Sequence, residues 1–212
     1  MSRKLPLLRG LLTGLAALSV SACVSVLPEA EPVDIYRLSP PQPVEWSGDD
    51  WTVVRVDLPQ APRALANDHI AVIGETRSIA YLAGARWINT TPRMIQTLIV
   101  ETLDSDATPL VPARPEDAVQ TDFILRMDLR EFEAVYDQGA NRAPLVTVRI
   151  AARLMRSDDR SFIGGRVFTS TSRADGNSAG AIVRAFDQSS HEAANELAGW
   201  MAQRATDTPS ES

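Results

Sequence analysis

The sequence predicts an α+β fold: a mixed, mostly antiparallel sheet with two amphipathic helices packed on one face, in a single domain. Three observations predict it. Three segments between residues 121 and 173 alternate apolar and polar residues with period two, as half-buried antiparallel strands do. Two segments, after Thr91 and after Ser178, repeat apolar residues every three or four positions, as helices with one buried face do. No repeat or long low-complexity tract divides the 212 residues, so one core suffices.

The elements follow in chain order. "MSRKLPLLRGLLTGLAALSVSA" (1–22) has the layout of a secretory signal: Arg3, Lys4 and Arg9, then an apolar core from Leu11 to Val20, then small Ser21 and Ala22. The apolar part is shorter than the about 20 residues of a membrane-spanning helix. Cys23 is the only cysteine. Val20-Ser21-Ala22-Cys23 resembles the lipobox of bacterial lipoproteins. That resemblance implies cleavage before Cys23, a diacylglyceryl group on its sulfur and an acyl group on the new amine. Only a thiolate forms such a thioether readily at neutral pH, and each buried acyl CH₂ adds about 0.8 kcal/mol of membrane affinity. Residues 23–33 then read as the lipidated Cys and an extended tether with two prolines and two acids.

The domain spans 34–205. "DIYRL" (34–38) and "WTVVRVDLP" (51–59) are short strands separated by a Pro-rich loop. "HIAVIG" (69–74) and "SIAYL" (78–82) pair as a hairpin across "ETR". The first helix follows, with Thr91 as N-cap, Pro92 at the first helical position, and Ile95, Leu98, Ile99, Thr102 and Leu103 on one face. In 121–136, Phe123, Leu125, Met127 and Leu129 share a face. Phe132 falls out of phase, which places a bulge near Arg130 or Glu131. In 143–156, Val146, Val148, Ile150, Ala152 and Leu154 face the core, while Thr147, Arg149 and Arg153 face water. Residues 160–173 pair back across "SDD". The last helix, capped by Ser178, carries Ile182, Phe186, Ser189, Ala193, Leu197, Trp200 and Arg204 as a stripe, with Val183 and Met201 beside it. Residues 206–212 form a polar, frayed tail.

Composition excludes some functions. The net charge is −6 with the signal and −9 once its three cations are removed. A chain this acidic does not suit nucleic acid, which demands Lys/Arg surfaces. One cysteine permits no intrachain disulfide. The two histidines, His69 and His191, read as exposed side chains without a second ligand at metal spacing. Ser189 and Ser190 adjoin His191, but neighbours on a helix do not face one another, so no triad follows. Asp104 and Asp106 sit in a post-helix turn, where acids are ordinary. The glycines of "IGGR" (163–166) lie inside a strand and read as a bulge or a close backbone contact rather than a phosphate cradle. The sequence therefore carries no catalytic constellation, metal site or cofactor motif.

One stretch is distinctive. "IAYLAGARWINTTPRMIQTLIVETLDSD" (79–106) places Tyr81, then Arg86-Trp87, then a short turn and an amphipathic helix ending in acids. Together with the lipobox, "YRLSP", "LRMDLREFEA", "VTVRIAARLM", "IGGRVFTST" and a helix ending in "ELAGW", it resembles the ABC-type transport auxiliary lipoproteins, which include the lipoprotein of the paraquat-inducible system. The resemblance implies a non-enzymatic, lipid-anchored periplasmic component that works beside MCE-type conduits for lipids and their permease and ABC partners. It also implies a homo-oligomeric ring for some members. Val24 directly after the lipidated Cys, where an Asp retains enterobacterial lipoproteins in the inner membrane, implies the periplasmic face of the outer membrane. Tyr81, Arg86 and Trp87 are the residues for a partner contact, with core packing as the other reading of Tyr81 and Trp87. An envelope assembly lipoprotein, pilotin-like or acting in outer-membrane assembly, is the alternative function; it would share the anchor and bind a protein client.

Overall fold

The computed structural model describes residues 32–42, 51–105 and 109–207. The lipobox with Cys23, the tether up to residue 31, residues 43–50, Asp106 and residues 208–212 lie outside the described residues. Eight strands form one sheet: β1 Asp34–Tyr36, β2 Thr52–Val56, β3 His69–Ile73, β4 Ile79–Trp87, β5 Leu110–Ala113, β6 Phe123–Val135, β7 Leu145–Arg156 and β8 Phe162–Arg173. Helix α1 spans Thr91–Ser105 and helix α2 spans Ala179–Asp207. The architecture is the expected mixed α+β domain.

Strand β6 is the spine. One edge runs antiparallel to β7 along its full length. The other edge is shared: its first residues pair parallel with β2, and its last, Ala134 and Val135, pair parallel with β3. The sheet thus divides into two limbs at β6. One limb carries β2 and β5; the other carries β3, β4 and, beside the end of β4, β1. The bulge expected near Arg130 lies at the division, where the register shifts between Leu129 and Glu131. The extra residue returns Phe132 to the face of Leu129, and both are 1% exposed.

The dry face is built from the alternating residues named above: Phe123 to Phe132 on β6, Val146 to Leu154 on β7, and Phe168 on β8, all buried. The other face is wet and charged. Arg126 and Arg153 sit directly opposite each other across β6 and β7. Like charges in register repel, and two acids separate them: Asp57 lies 3.5 Å from Arg126 and Asp128 lies 2.9 Å from Arg153. Glu131 faces Arg149 at 3.2 Å. Such half-exposed pairs contribute about 0–1 kcal/mol each, so they set register more than they stabilise.

Helix α2 lies across β7 and β8 on the dry face. Ser178 caps it: its carbonyl accepts from the Ile182 amide at 3.0 Å and its hydroxyl from the Ala181 amide at 3.3 Å. Ile182, Phe186, Ser189, Ala193, Leu197 and Met201 are at most 1% exposed and Trp200 is 7% exposed. Arg204, placed on this stripe by periodicity, is exposed. The helix runs to Asp207, so Thr206 and Asp207 belong to it rather than to the tail. Helix α1 covers β2 and β5 and packs on α2. Its buried Gln96 donates to the Val56 carbonyl at 2.9 Å, tying helix to sheet.

Three local expectations shift. Thr91 is inside α1 rather than its N-cap; its hydroxyl donates to the Asn67 carbonyl at 3.2 Å, and the Thr90 carbonyl accepts from the Met94 amide. Strand β4 continues five residues past Leu82, to Trp87, because Gly84 takes a φ of +66° and lets the strand kink onward. Strand β5 adds to the strands expected from periodicity: "LVPA" is four residues long and contains Pro112, which an edge strand tolerates. The glycine pair of "IGGR" behaves as expected. The β7–β8 register shifts at Leu154/Met155, beside it. A Cβ at Gly164 would meet Trp200 at 3.5 Å, and one at Gly165 would meet the Phe162 ring at 3.3 Å.

Candidate functional site

Tyr81, Arg86 and Trp87 all lie on β4, and they do different things. Trp87 is 2% exposed. Its ring lies 5.3 Å from Phe186 of α2 and 5.7 Å from Phe132 of β6, and those two rings are 4.7 Å apart. This cluster joins one limb of the sheet, the spine and the long helix. Trp87 is therefore a core residue, as the core-packing reading of it expects. Tyr81 and Arg86 reach the surface and hold the 64–68 turn. The Tyr81 hydroxyl donates to the Ala64 carbonyl at 3.2 Å and Arg86 pairs with Asp68 at 3.3 Å. That turn in turn holds the start of α1, since the Asn67 carbonyl accepts from the Thr91 amide and the Asp68 carbonyl from the Trp87 amide. Tyr81 is 41% exposed, so its ring stays available to a partner.

His69 belongs to the same turn. Its Nδ1 is 3.2 Å from the Asn67 Oδ1 and 3.3 Å from the Asp68 Oδ1, and its ring is 4.7 Å from that of Tyr81. It is half-buried rather than a free edge residue. Among the described residues no three His, Cys, Asp or Glu side chains gather at metal-binding distance.

A second constellation joins distant parts of the chain. Residues 37–42, after β1, cross α2 as a strap. Asp187 accepts from the Ser39 amide and from the Ser39 hydroxyl, each at 2.7 Å. His191, one turn along the same helix, places Nε2 at 2.9 Å from the Ser39 carbonyl oxygen and 3.1 Å from its hydroxyl. His191 is thus engaged, not exposed as its place off the stripe predicts. These are the residue types of a nucleophilic triad in another geometry. A carbonyl oxygen can only accept, so the bond to it requires a proton on Nε2, and a general base would need that nitrogen free. The Ser39 hydroxyl donates its hydrogen bond to Asp187 directly. The arrangement clamps the strap. The i, i+4 spacing of Asp187 and His191 on one helix face was legible; their partner, 148 residues upstream of Asp187, was not.

The strap walls a slot against α1. A cavity of about 230 Å³ is lined by Leu38, Pro40, Ile88, Met94 and Leu98, with Arg37 and Arg93 among its polar residues. Ile88 is 63% exposed at its mouth. The acids elsewhere are structural as well. Burial holds the Asp104 carboxyl above its ordinary range, with Arg114 partly opposing. Burial, aided by the charge of Glu131 and opposed by Arg77, does the same for Glu133. The Arg173 guanidinium, bonded to both Asp137 oxygens, draws the Asp137 carboxyl below its ordinary range.

Comparison with known proteins places this geometry. A family model described as ABC-type transport auxiliary lipoprotein component matches residues 36–198. The chain belongs to this family. The match takes in the strap, the strands from β2 onward, α1, and α2 as far as Ala198. Among solved structures, this auxiliary lipoprotein is similar to protein XCC0632 from Xanthomonas campestris, at 24% identity and a TM-score of 0.73, over 82% of this chain and 98% of that one. A second crystal structure, of an uncharacterized protein, is 14% identical with a TM-score of 0.64, over 81% of this chain and 99% of the other. These two likenesses show the fold. A curated relative, the uncharacterized protein bll6063 of Bradyrhizobium diazoefficiens, is 26% identical over 114 residues. The aligned stretch is 54% of this chain and 30% of that protein.

Proposed function

We propose that this auxiliary lipoprotein is a non-catalytic component of an MCE-type intermembrane lipid transport system. Residues 1–22 are removed, and Cys23 carries the lipids that hold the protein on the periplasmic face of the outer membrane. Residues 24–33 are the tether from which the 34–205 domain works. Its partners are an MCE-domain protein with its permease and ABC components, and several copies assemble as a ring at the outer-membrane end. Exposed Tyr81 and Arg86 contribute to partner contact. The observation that carries the reading is the family match over residues 36–198, joined to the lipobox ahead of it. The commitment of Ser39, Asp187 and His191 to the strap supports a binding rather than a hydrolytic role.

The test is metabolic labelling with palmitate followed by density-gradient separation of the membranes. Wild type is expected to carry label and to band with the outer membrane. Cys23→Ser is expected to lose the label and to leave that band. Equal labelling of the two proteins would remove the anchor, and wild type banding wholly with the inner membrane would remove the placement.

A further inference from the structure

Sheets protect their edges with short strands, prolines, bulges or covering elements, because a bare edge is a template for another strand. Two edges here follow that rule. Strand β1 has three residues. Strand β5 has four, includes Pro112 and lies under α1. The β8 edge does not. Strand β8 is 12 residues long, and among the described residues it pairs only with β7. Its bulge lies at its start, beside Leu154 and Met155, and leaves Gly164–Arg173 in unbroken register. It contains no proline and no lysine. About half of its residues turn N–H and C=O groups outward, away from β7.

The side chains along this edge have a definite chemistry. Phe162 is 65% and Val167 46% exposed on the open face, followed there by Thr169 and Thr171. The strand has two arginines and no acid. Arg173 is neutralised by Asp137. Arg166, exposed over the Phe168 ring at 5.2 Å, has no carboxylate partner among the described residues. Arg204, exposed at the end of α2, lies against Gly164 and likewise has no ion pair there. Two unpaired guanidiniums therefore flank the Gly164–Phe168 half of the edge, in a chain whose net charge is negative. Acids close to this half of the edge in the chain are Asp158 and Asp159 in the β7–β8 turn, Asp207 three residues after Arg204 on α2, and Glu192, which accepts from the Ser170 hydroxyl at 2.6 Å.

We propose that the β8 edge takes an extended, acidic segment of a partner protein as a ninth strand, antiparallel or parallel to Gly164–Arg173. Backbone hydrogen bonds supply the pairing, as in other strand-addition complexes. Apolar side chains of the segment rest beside Val167 and Phe162 on the open face. Its carboxylates meet Arg166 and Arg204. A second copy of this chain fits the edge less well, because two β8 strands would bring Arg166 and Arg204 of both copies together without an acid.

The test uses the full chain and two synthetic nonapeptides, one alternating Val with Glu and one alternating Val with Lys, each read by fluorescence anisotropy. The Glu peptide is expected to bind at least tenfold more tightly. Binding should slow amide exchange in β8 while leaving β1 and β5 unchanged. Arg166→Glu should lose the preference for the Glu peptide, and Arg130→Glu, on the far sheet face, should keep it. Equal affinity for the two peptides, protection outside β8, or preference retained by Arg166→Glu would overturn the proposal. A concentration-dependent dimer of the chain alone with β8 protected would overturn it as well, in favour of a second copy.

Discussion

Replacing Phe186 by Ala tests how the long helix is held. Phe186 is fully buried, and its ring meets Trp87 edge-on at 5.3 Å and Phe132 at 4.7 Å. The substitution removes the ring through which α2 contacts both β4 and β6. Truncating a buried Phe costs about 3–5 kcal/mol, at the upper end where neighbours cannot collapse into the space. Collapse is resisted here, because Trp87 and Phe132 are each anchored on strands of the same sheet. A domain of this size loses about 2–4 °C of Tm per kcal/mol, so the melting temperature should fall by about 6–20 °C. Since native domains hold only about 5–15 kcal/mol in all, low expression of the mutant is itself expected. Thermal melts of the full chain in detergent, followed by circular dichroism, give the readout. Trp200→Ala, which removes the edge-on contact with Phe168 at 5.7 Å, should behave likewise. Unchanged melting for both variants would mean that this face is not the core, and the reasoning about the stripe would fail.

Three other outcomes are expected. Asp187→Ala removes both bonds to Ser39; hydrogen bonds to charged groups are worth about 1.5–3 kcal/mol, so exchange of the Ser39 amide should quicken by about 10–100-fold while β6 and β7 amides stay unchanged, and an unchanged Ser39 rate would refute the clamp. Glu133→Gln tests the raised carboxyl: the folded state binds that proton more tightly than the unfolded state, so charged Glu133 lowers stability as pH rises through its raised pKa. The Gln variant should therefore melt above wild type at pH 7 and lose that advantage by about pH 3–4, below the unfolded carboxylate range; a constant difference across pH would contradict the assignment. Val24→Asp should shift the protein from the outer to the inner membrane fraction, and an unmoved distribution would detach sorting from that position.

Much of the fold was legible because its signals were local. The alternation in β6, β7 and β8 predicted their pairing, and the phase slip at Phe132 predicted the bulge that divides the sheet. The α2 stripe and its Ser178 cap were equally plain. What escaped notice depended on partners far along the chain. "LVPA" becomes a strand only because β2 lies beside it. Trp87 is a core residue because Phe132 and Phe186, distant in sequence, close around it. The strap clamp needs Ser39 to meet Asp187 and His191 across most of the domain. Arg204 kept helical period but left the core, since the last turns of α2 run past the sheet's edge at Gly164.

In the proposed role this lipoprotein serves a lipid conduit by contact with an MCE-domain protein. The most direct measurement is affinity purification of the full chain from gently solubilised membranes, with quantitative mass spectrometry of what it retains. An MCE-domain protein with its permease is expected in fixed proportion to the lipoprotein, with a weaker yield of both from Tyr81→Ala with Arg86→Ala. Recovery of a secretin or an outer-membrane barrel in their place, with no MCE-domain protein, would contradict it.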